Sequence, residues 1–242
     1  MKKILALVLA AMLVLSCAAF AEAVETENLL ANPGFETGDF SGKWMNYYHY
    51  DQIEENTLYA EIIEDAHTGT YAAKTLSATL VDGQGENEGW LSALGIEATE
   101  IVKAAGNGEF FFKAFVKLLG EDKYASCDAW LYIYEQGRED NKWSPIQVWK
   151  LESNTPVDST AWTQVGLDAK GADKSFQLWY NNGADRNGKE PTSTPGSRIF
   201  LNDDFEYTHA ILWVTCGMDD AISMCYAIDD AEFFFAPAPA AE

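Results

Sequence analysis

Residues 108–118 read GEFFFKAFVKL. Phe110, Phe112, Ala114, Val116 and Leu118 fall on one face of an extended chain, with Lys113 and Lys117 on the other. Successive side chains of a strand point to opposite sides, so the pattern describes a strand with one face in a core and one in water. Similar short runs recur between turn signals at 58–63, 71–80, 129–135, 146–151, 163–167, 176–180, 210–215 and 224–234. Only residues 98–105 suggest a helix. About eight to ten strands predict an all-β fold, a β-sandwich jelly roll of two packed sheets.

The ends bound the domain. Lys2 and Lys3 precede an apolar run and the small-residue pattern Ala19-Phe20-Ala21. This predicts a signal peptide over residues 1–21 and a protein secreted or held at the extracellular surface of a bacterium. Lipid attachment at Cys17 is the competing reading, which Leu15 suits poorly. The folded part spans residues 22–235, and residues 236–242 (APAPAAE) read as a low-complexity tail. No transmembrane segment is expected, because no later run approaches the roughly 20 apolar residues that span a bilayer. Residues 181–197 form a long polar loop between strand candidates.

Without Lys2 and Lys3 the basic residues fall from 16 to 14 against 38 acidic ones, a net charge of −24. Such a surface repels phosphate backbones, which excludes nucleic acid as a partner and leaves neutral ligands and cations. Beyond Cys17, the cysteines are Cys127, Cys216 and Cys225. Cys216 and Cys225 flank a turn-like segment and are either bridged or reduced and buried, with Cys127 the odd one out.

Three short motifs carry more information. Residues 28–44 read NLLANPGFETGDFSGKW, residues 67–71 HTGTY, and residues 226–233 YAIDDAEF. In this order they resemble carbohydrate-binding modules of the family 4, 9 and 22 type. Those begin with Asn-x-Gly-Phe-Glu, continue with His/Ser-x-Gly-x-Tyr/Ser and close on Tyr-x-Ile-Asp-Asp. The resemblance implies a galactose-binding-like jelly roll and a non-catalytic protein that binds polysaccharide or oligosaccharide, with a monomer expected. It also implies a structural calcium held by Glu36 and Asp230, with Asp229 as second choice and Thr68 and Gly69 adding oxygens. Calcium takes six to eight oxygen ligands, and carboxylates from both chain ends can share one site. From the residues alone, Glu36 capping a turn and Asp229-Asp230 ending a solvated strand is the other reading.

Sugar binding needs flat apolar faces beside polar groups. In CDAWLYIYEQ, residues 127–136, Ala129, Leu131 and Ile133 alternate with Asp128, Trp130, Tyr132 and Tyr134. An aliphatic core face leaves the aromatic set exposed as a binding stripe. By the same alternation Ile146 and Val148 face inward and Gln147 and Trp149 outward. Phe176, Leu178 and Tyr180 face inward, and Gln177 and Trp179 outward. Trp90, after a Gly-rich run, is placed as a cleft wall.

Catalytic signatures are missing from the sequence. There is no His-Glu-x-x-His, no Gly-x-Ser-x-Gly elbow and no zinc-spaced cysteine set. A glycoside hydrolase or lyase on a jelly roll is the rival, and an adhesion or assembly protein the third reading.

Overall fold

The computed structural model describes residues 27–45, 60–75, 93–105, 108–120, 124–135, 147–166, 176–181, 207–218, 222–223 and 225–237. Twelve strands and one short helix follow in the order β1 (Trp44–Met45), β2 (Ala60–Ile63), β3 (Ala72–Thr75), β4 (Ala93–Glu97), α1 (Thr99–Ala105), β5 (Gly108–Leu118), β6 (Tyr124–Glu135), β7 (Gln147–Asp158), β8 (Thr163–Gly166), β9 (Gln177–Asn181), β10 (Tyr207–Met218), β11 (Ile222–Ser223) and β12 (Tyr226–Pro237). Residues 1–21, read above as a signal peptide, Trp90, residues 182–197 and residues 238–242 lie outside the described residues.

All described pairings are antiparallel, and they make two sheets. One is seven-stranded, in the order β1-β4-β10-β6-β7-β9 with β11 on β10; the other is five-stranded, in the order β2-β3-β12-β5-β8. This is the two-sheet sandwich expected from the alternation in residues 108–118. That run forms β5, with Phe110, Phe112, Ala114, Val116 and Leu118 all buried. Facing them from the larger sheet are Ala129, Leu131 and Ile133 of β6 and Ala210, Leu212 and Val214 of β10. A fully buried side chain of this size contributes about 1.5–3 kcal/mol relative to leaving it in water.

Tyr226 bolts the sheets together. Its backbone belongs to β12, yet its hydroxyl donates to the Val214 carbonyl of β10 at 2.5 Å and accepts from the Leu94 amide of β4 at 3.0 Å. It is fully buried, and burial foremost raises the phenol's pKa well above its ordinary value. The backbone of Tyr226 in turn exchanges contacts with Thr75 Oγ1, amide to hydroxyl at 3.0 Å and hydroxyl to carbonyl at 3.4 Å.

Three elements escaped the alternation: β1, β4 and β11. Two of them are only two residues long, and β4 (ALGIE) carries a glycine at its centre. A correction also applies to the tail. β12 runs through Ala236 and Pro237, which pair with Glu109 and Gly108, so the low-complexity composition begins inside the last strand.

Tyr226→Phe keeps the ring but leaves the Leu94 amide and the Val214 carbonyl without their partner. The expected loss is about 1–3 kcal/mol, read as a lower midpoint in urea with an unchanged slope. An unchanged midpoint would show that the hydroxyl does not couple the sheets.

Candidate functional site

The face of the seven-stranded sheet turned away from the core carries its own apolar cluster. Met45, Tyr134, Ile211 and Trp213 are buried in it, and Trp130 and Tyr132 pack against them half-buried. Register explains the grouping. Trp130 lies opposite Trp213 and Tyr132 opposite Ile211 in the β6–β10 ladder. Trp213 also lies opposite Gly95 of β4, and its ring rests where a side chain on Gly95 would stand, 2.7 Å from an ideal Cβ. The missing side chain thus makes room for the indole.

Polar groups frame the aromatics at one end. The Trp130 indole donates to Thr215 Oγ1 at 3.0 Å. Lys150 of β7 places its ammonium 4.6 Å from the centre of the Trp130 ring and 3.3 Å from the Asp128 carboxylate. A cation near an aromatic face and a hydrogen bond on the indole nitrogen both restrict the ring. The Tyr132 and Tyr134 rings are 6.3 Å apart at 52°. The arrangement combines half-exposed ring surface, a hydroxyl, a carboxylate and an ammonium.

Asp128, Trp130, Tyr132 and Tyr134 therefore share the outer face, as the sequence implies. Tyr134 departs from the exposed stripe: it is 2% exposed, because Ile211, Trp213 and Met45 close around it. Gln147 and Trp149 are a clear correction. Trp149 is 1% exposed in the main core, opposite Leu131, and its indole donates to Gln147 Oε1 at 3.2 Å. Gln147 lies opposite Ile133, so it too belongs to the core side, while Val148 opposite Tyr132 and Lys150 opposite Trp130 belong to the outer side. A one-residue slip in the reading of β7 exchanges its faces. Gln177 and Trp179 sit on β9, with side chains outside the described residues, as is all of Trp90.

Lys150, Ile211, Trp213 and Thr215 were missed. The run WKL at 149–151 held the signal for the first, since Trp149 and Leu151 flank a lysine on opposite phase. AILWVTC at 210–216 held it for the rest, since Ala210, Leu212, Val214 and Cys216 alternate with Ile211, Trp213 and Thr215.

The second expected site lies at the chain ends. The structure does bring Glu36, Thr68, Gly69, Asp229 and Asp230 together around residues 67–71. Glu36 accepts from the Thr70 amide at 2.9 and 3.1 Å and from the Tyr71 amide at 3.0 Å. Asp229 accepts from the His67, Thr68 and Asp230 amides at 2.8, 3.1 and 2.7 Å. Asp230 accepts from Thr68 Oγ1 at 2.8 and 2.9 Å, and its Oδ2 lies 2.7 Å from His67 Nδ1. Gly69 has φ +68°, and a side chain there would collide with the Glu36 carboxylate. The His67 ring stacks on Phe115, centroids 3.7 Å apart.

Hard oxygens suit calcium, but these carboxylates face N–H and O–H donors. Among the described residues no group of three or more His, Cys, Asp or Glu side chains could hold one metal ion. As arranged, the set is a clasp of carboxylates on backbone amides. Asp229 is fully buried, and that burial raises its pKa despite three amide donors.

The sequence matches no family model and no curated protein. Among solved structures, the CBM22-1 xylan-binding domain from Paenibacillus barcinonensis Xyn10C is similar, with a TM-score of 0.50 at 14% identity over 88% of this chain and 97% of that one. The tandem of CBM22-1 and CBM22-2 from the same protein gives 0.51 at 14% identity over 91% of this chain and 48% of that one. This chain thus corresponds to about half of the tandem. The likeness shows a shared fold, the jelly roll that the three motifs implied.

The raised pKa of Asp229 has a pH signature. Its neutral form suits the fold, so its contribution is fully present below the ordinary value of 3.8 and is lost as pH rises through the raised folded value. Asp229→Asn cannot titrate. The melting temperature of the native chain minus that of this variant is expected to fall as pH rises from about 4 to 7. A difference constant across that window would contradict the assignment.

Proposed function

We propose that this protein is an exported, non-catalytic carbohydrate-binding protein that holds a polysaccharide across the outer face of its seven-stranded sheet. The observation that carries the reading is the placing of the half-buried Trp130 and Tyr132, backed by the buried Trp213, beside Asp128, Lys150 and Thr215 on a sheet face outside the core. Pyranose C–H faces stack on such rings, and hydroxyls bond to such polar groups. A strongly acidic protein favours a neutral glycan over an anionic one. The solved CBM22-1 domain of similar fold is named as xylan-binding, which makes xylan the first candidate.

Structural calcium is a separate proposal, carried by the sequence resemblance alone. Its ligands would be Glu36, Asp230 and Asp229, the carboxylates of the clasp. Secretion rests likewise on the sequence of residues 1–21.

Affinity electrophoresis in gels containing xylan, β-glucan, mannan or pectin tests the reading. Retardation by one neutral polysaccharide is expected, with the retardation reduced at least about tenfold in Trp130→Ala by loss of stacking worth about 1.4 kcal/mol or more. Chelator is expected to leave retardation unchanged, and a melting temperature that also stayed unchanged would remove calcium from the account. A melting temperature that drops on chelation and recovers with calcium would install the ion in the clasp. Hydrolysis of any of the polysaccharides would favour the glycosidase reading. A folded protein retarded by none would favour protein adhesion.

A further inference from the structure

Cys127 and Cys216 are direct partners in the β6–β10 ladder. Both are buried, at 2% and 0% exposure, and both face the core with Ala129, Leu131, Leu212 and Val214. Directly opposed residues of an antiparallel pair have Cα atoms about 4.5–5.5 Å apart. A disulfide spans Cα separations of about 4.4–6.8 Å. The two thiols are already hydrogen-bond partners, and burial together with that contact raises the Cys216 thiol's pKa well above its ordinary value. All three described cysteines are reduced thiols here.

Cys225 is placed differently. It precedes β12, which pairs with β3 and β5 in the other sheet, and its carbonyl accepts from the Leu119 amide at 3.0 Å. The hairpin pairing of Cys216 with Cys225 that the sequence left open therefore has a better-registered rival across the ladder.

We propose that Cys127 and Cys216 form a cross-strand disulfide between β6 and β10 when the chain folds with a small disulfide or a disulfide-bearing oxidase as oxidant. One cysteine thiolate attacks a sulfur of the oxidant's disulfide, breaking that bond and releasing one oxidant thiol. The second cysteine thiolate then attacks the mixed disulfide at the cysteine sulfur, closing the Cys127–Cys216 bond and releasing the other oxidant thiol. The cysteines lose two protons and two electrons, and the oxidant is reduced to two thiols. Exchange needs a thiolate and access. Both are lost once the sheets meet, so the bond closes during folding and is then shielded from reductants. It would staple the two strands that carry Trp130, Tyr132, Trp213 and Thr215, and constrain the unfolded chain between residues 127 and 216. The proposal does not depend on sugar binding.

The test refolds the full chain in oxidised glutathione, alkylates free thiols, and maps fragments by mass spectrometry. Trypsin with cyanogen bromide separates the four cysteines, since Met12 and Lys43 bracket Cys17 and Lys123, Arg138, Arg198, Met218 and Met224 separate Cys127, Cys216 and Cys225. The expected product joins the Cys127 and Cys216 fragments, lighter by two hydrogens, with Cys225 alkylated. Cys225→Ser is expected to keep the link, and prolonged reduction of the unfolded chain before refolding to lower the melting temperature by roughly 5–10 °C. A Cys216–Cys225 link, a link from Cys127 or Cys216 to Cys17, or alkylation of both Cys127 and Cys216 after oxidative refolding, would overturn the proposal. The mapping needs no variant, so a variant that fails to fold does not spare it.

Discussion

The structure depends on how the backbone is satisfied where β12 leaves its ladder. Between Asp229 and Glu232 the register with β5 shifts, and Asp230 adopts φ 45°, the left-handed region that a non-glycine residue enters only when held there. A bulge leaves amides and carbonyls without their ladder partners. The N-terminal segment supplies them. The Ala231 amide donates to the Pro33 carbonyl at 2.9 Å, and Asn28 Nδ2 donates to the Ala231 carbonyl at 3.0 Å. Asn28 Oδ1 meanwhile accepts from the Phe233 amide at 3.0 Å. The same bulge turns Asp229 and Asp230 toward residues 67–68, whose amides and hydroxyl they accept. One irregularity thus joins the first described segment, a central loop and the last strand.

That clasp fixes the strand from which Tyr226 reaches across to β4 and β10. Those strands, with β6, carry the aromatic outer face on their other side. Core and candidate site are therefore two faces of one sheet. Aliphatic and small residues pack inward, as in Ala129, Leu131 and Ile133, and rings gather outward, as in Trp130 and Tyr132. Trp149 breaks the symmetry: it is a large ring placed inward, buried in the main core.

The sequence made much of this legible, for reasons that can be named. β5 was readable because Phe, Ala, Val and Leu occupy every inward position and lysines two of the outward ones. The three short motifs met in space because Glu36, Asp229 and Asp230 close on the amides and hydroxyl of residues 67–71. β7 was not readable, because Val148 and Trp149 are adjacent and both apolar, so the period of two has two phases and only Lys150 decides between them. Trp213 was overlooked because β10 is apolar on both faces, and only its neighbours on β4 and β6 say which face is the core. Contacts between carboxylates and backbone amides leave no trace in residue identity, so Glu36 and Asp229 read as cation ligands as readily as amide acceptors.

The central claim is that the outer face of the seven-stranded sheet is where ligand is held. Radical footprinting of the protein with and without a retained polysaccharide measures it directly. The account predicts protection concentrated at Trp130 and Tyr132, with Phe115 of β5 and Trp162, just before β8, labelled equally in both samples. Protection confined to Phe115 and Trp162, with Trp130 and Tyr132 unchanged, would contradict it.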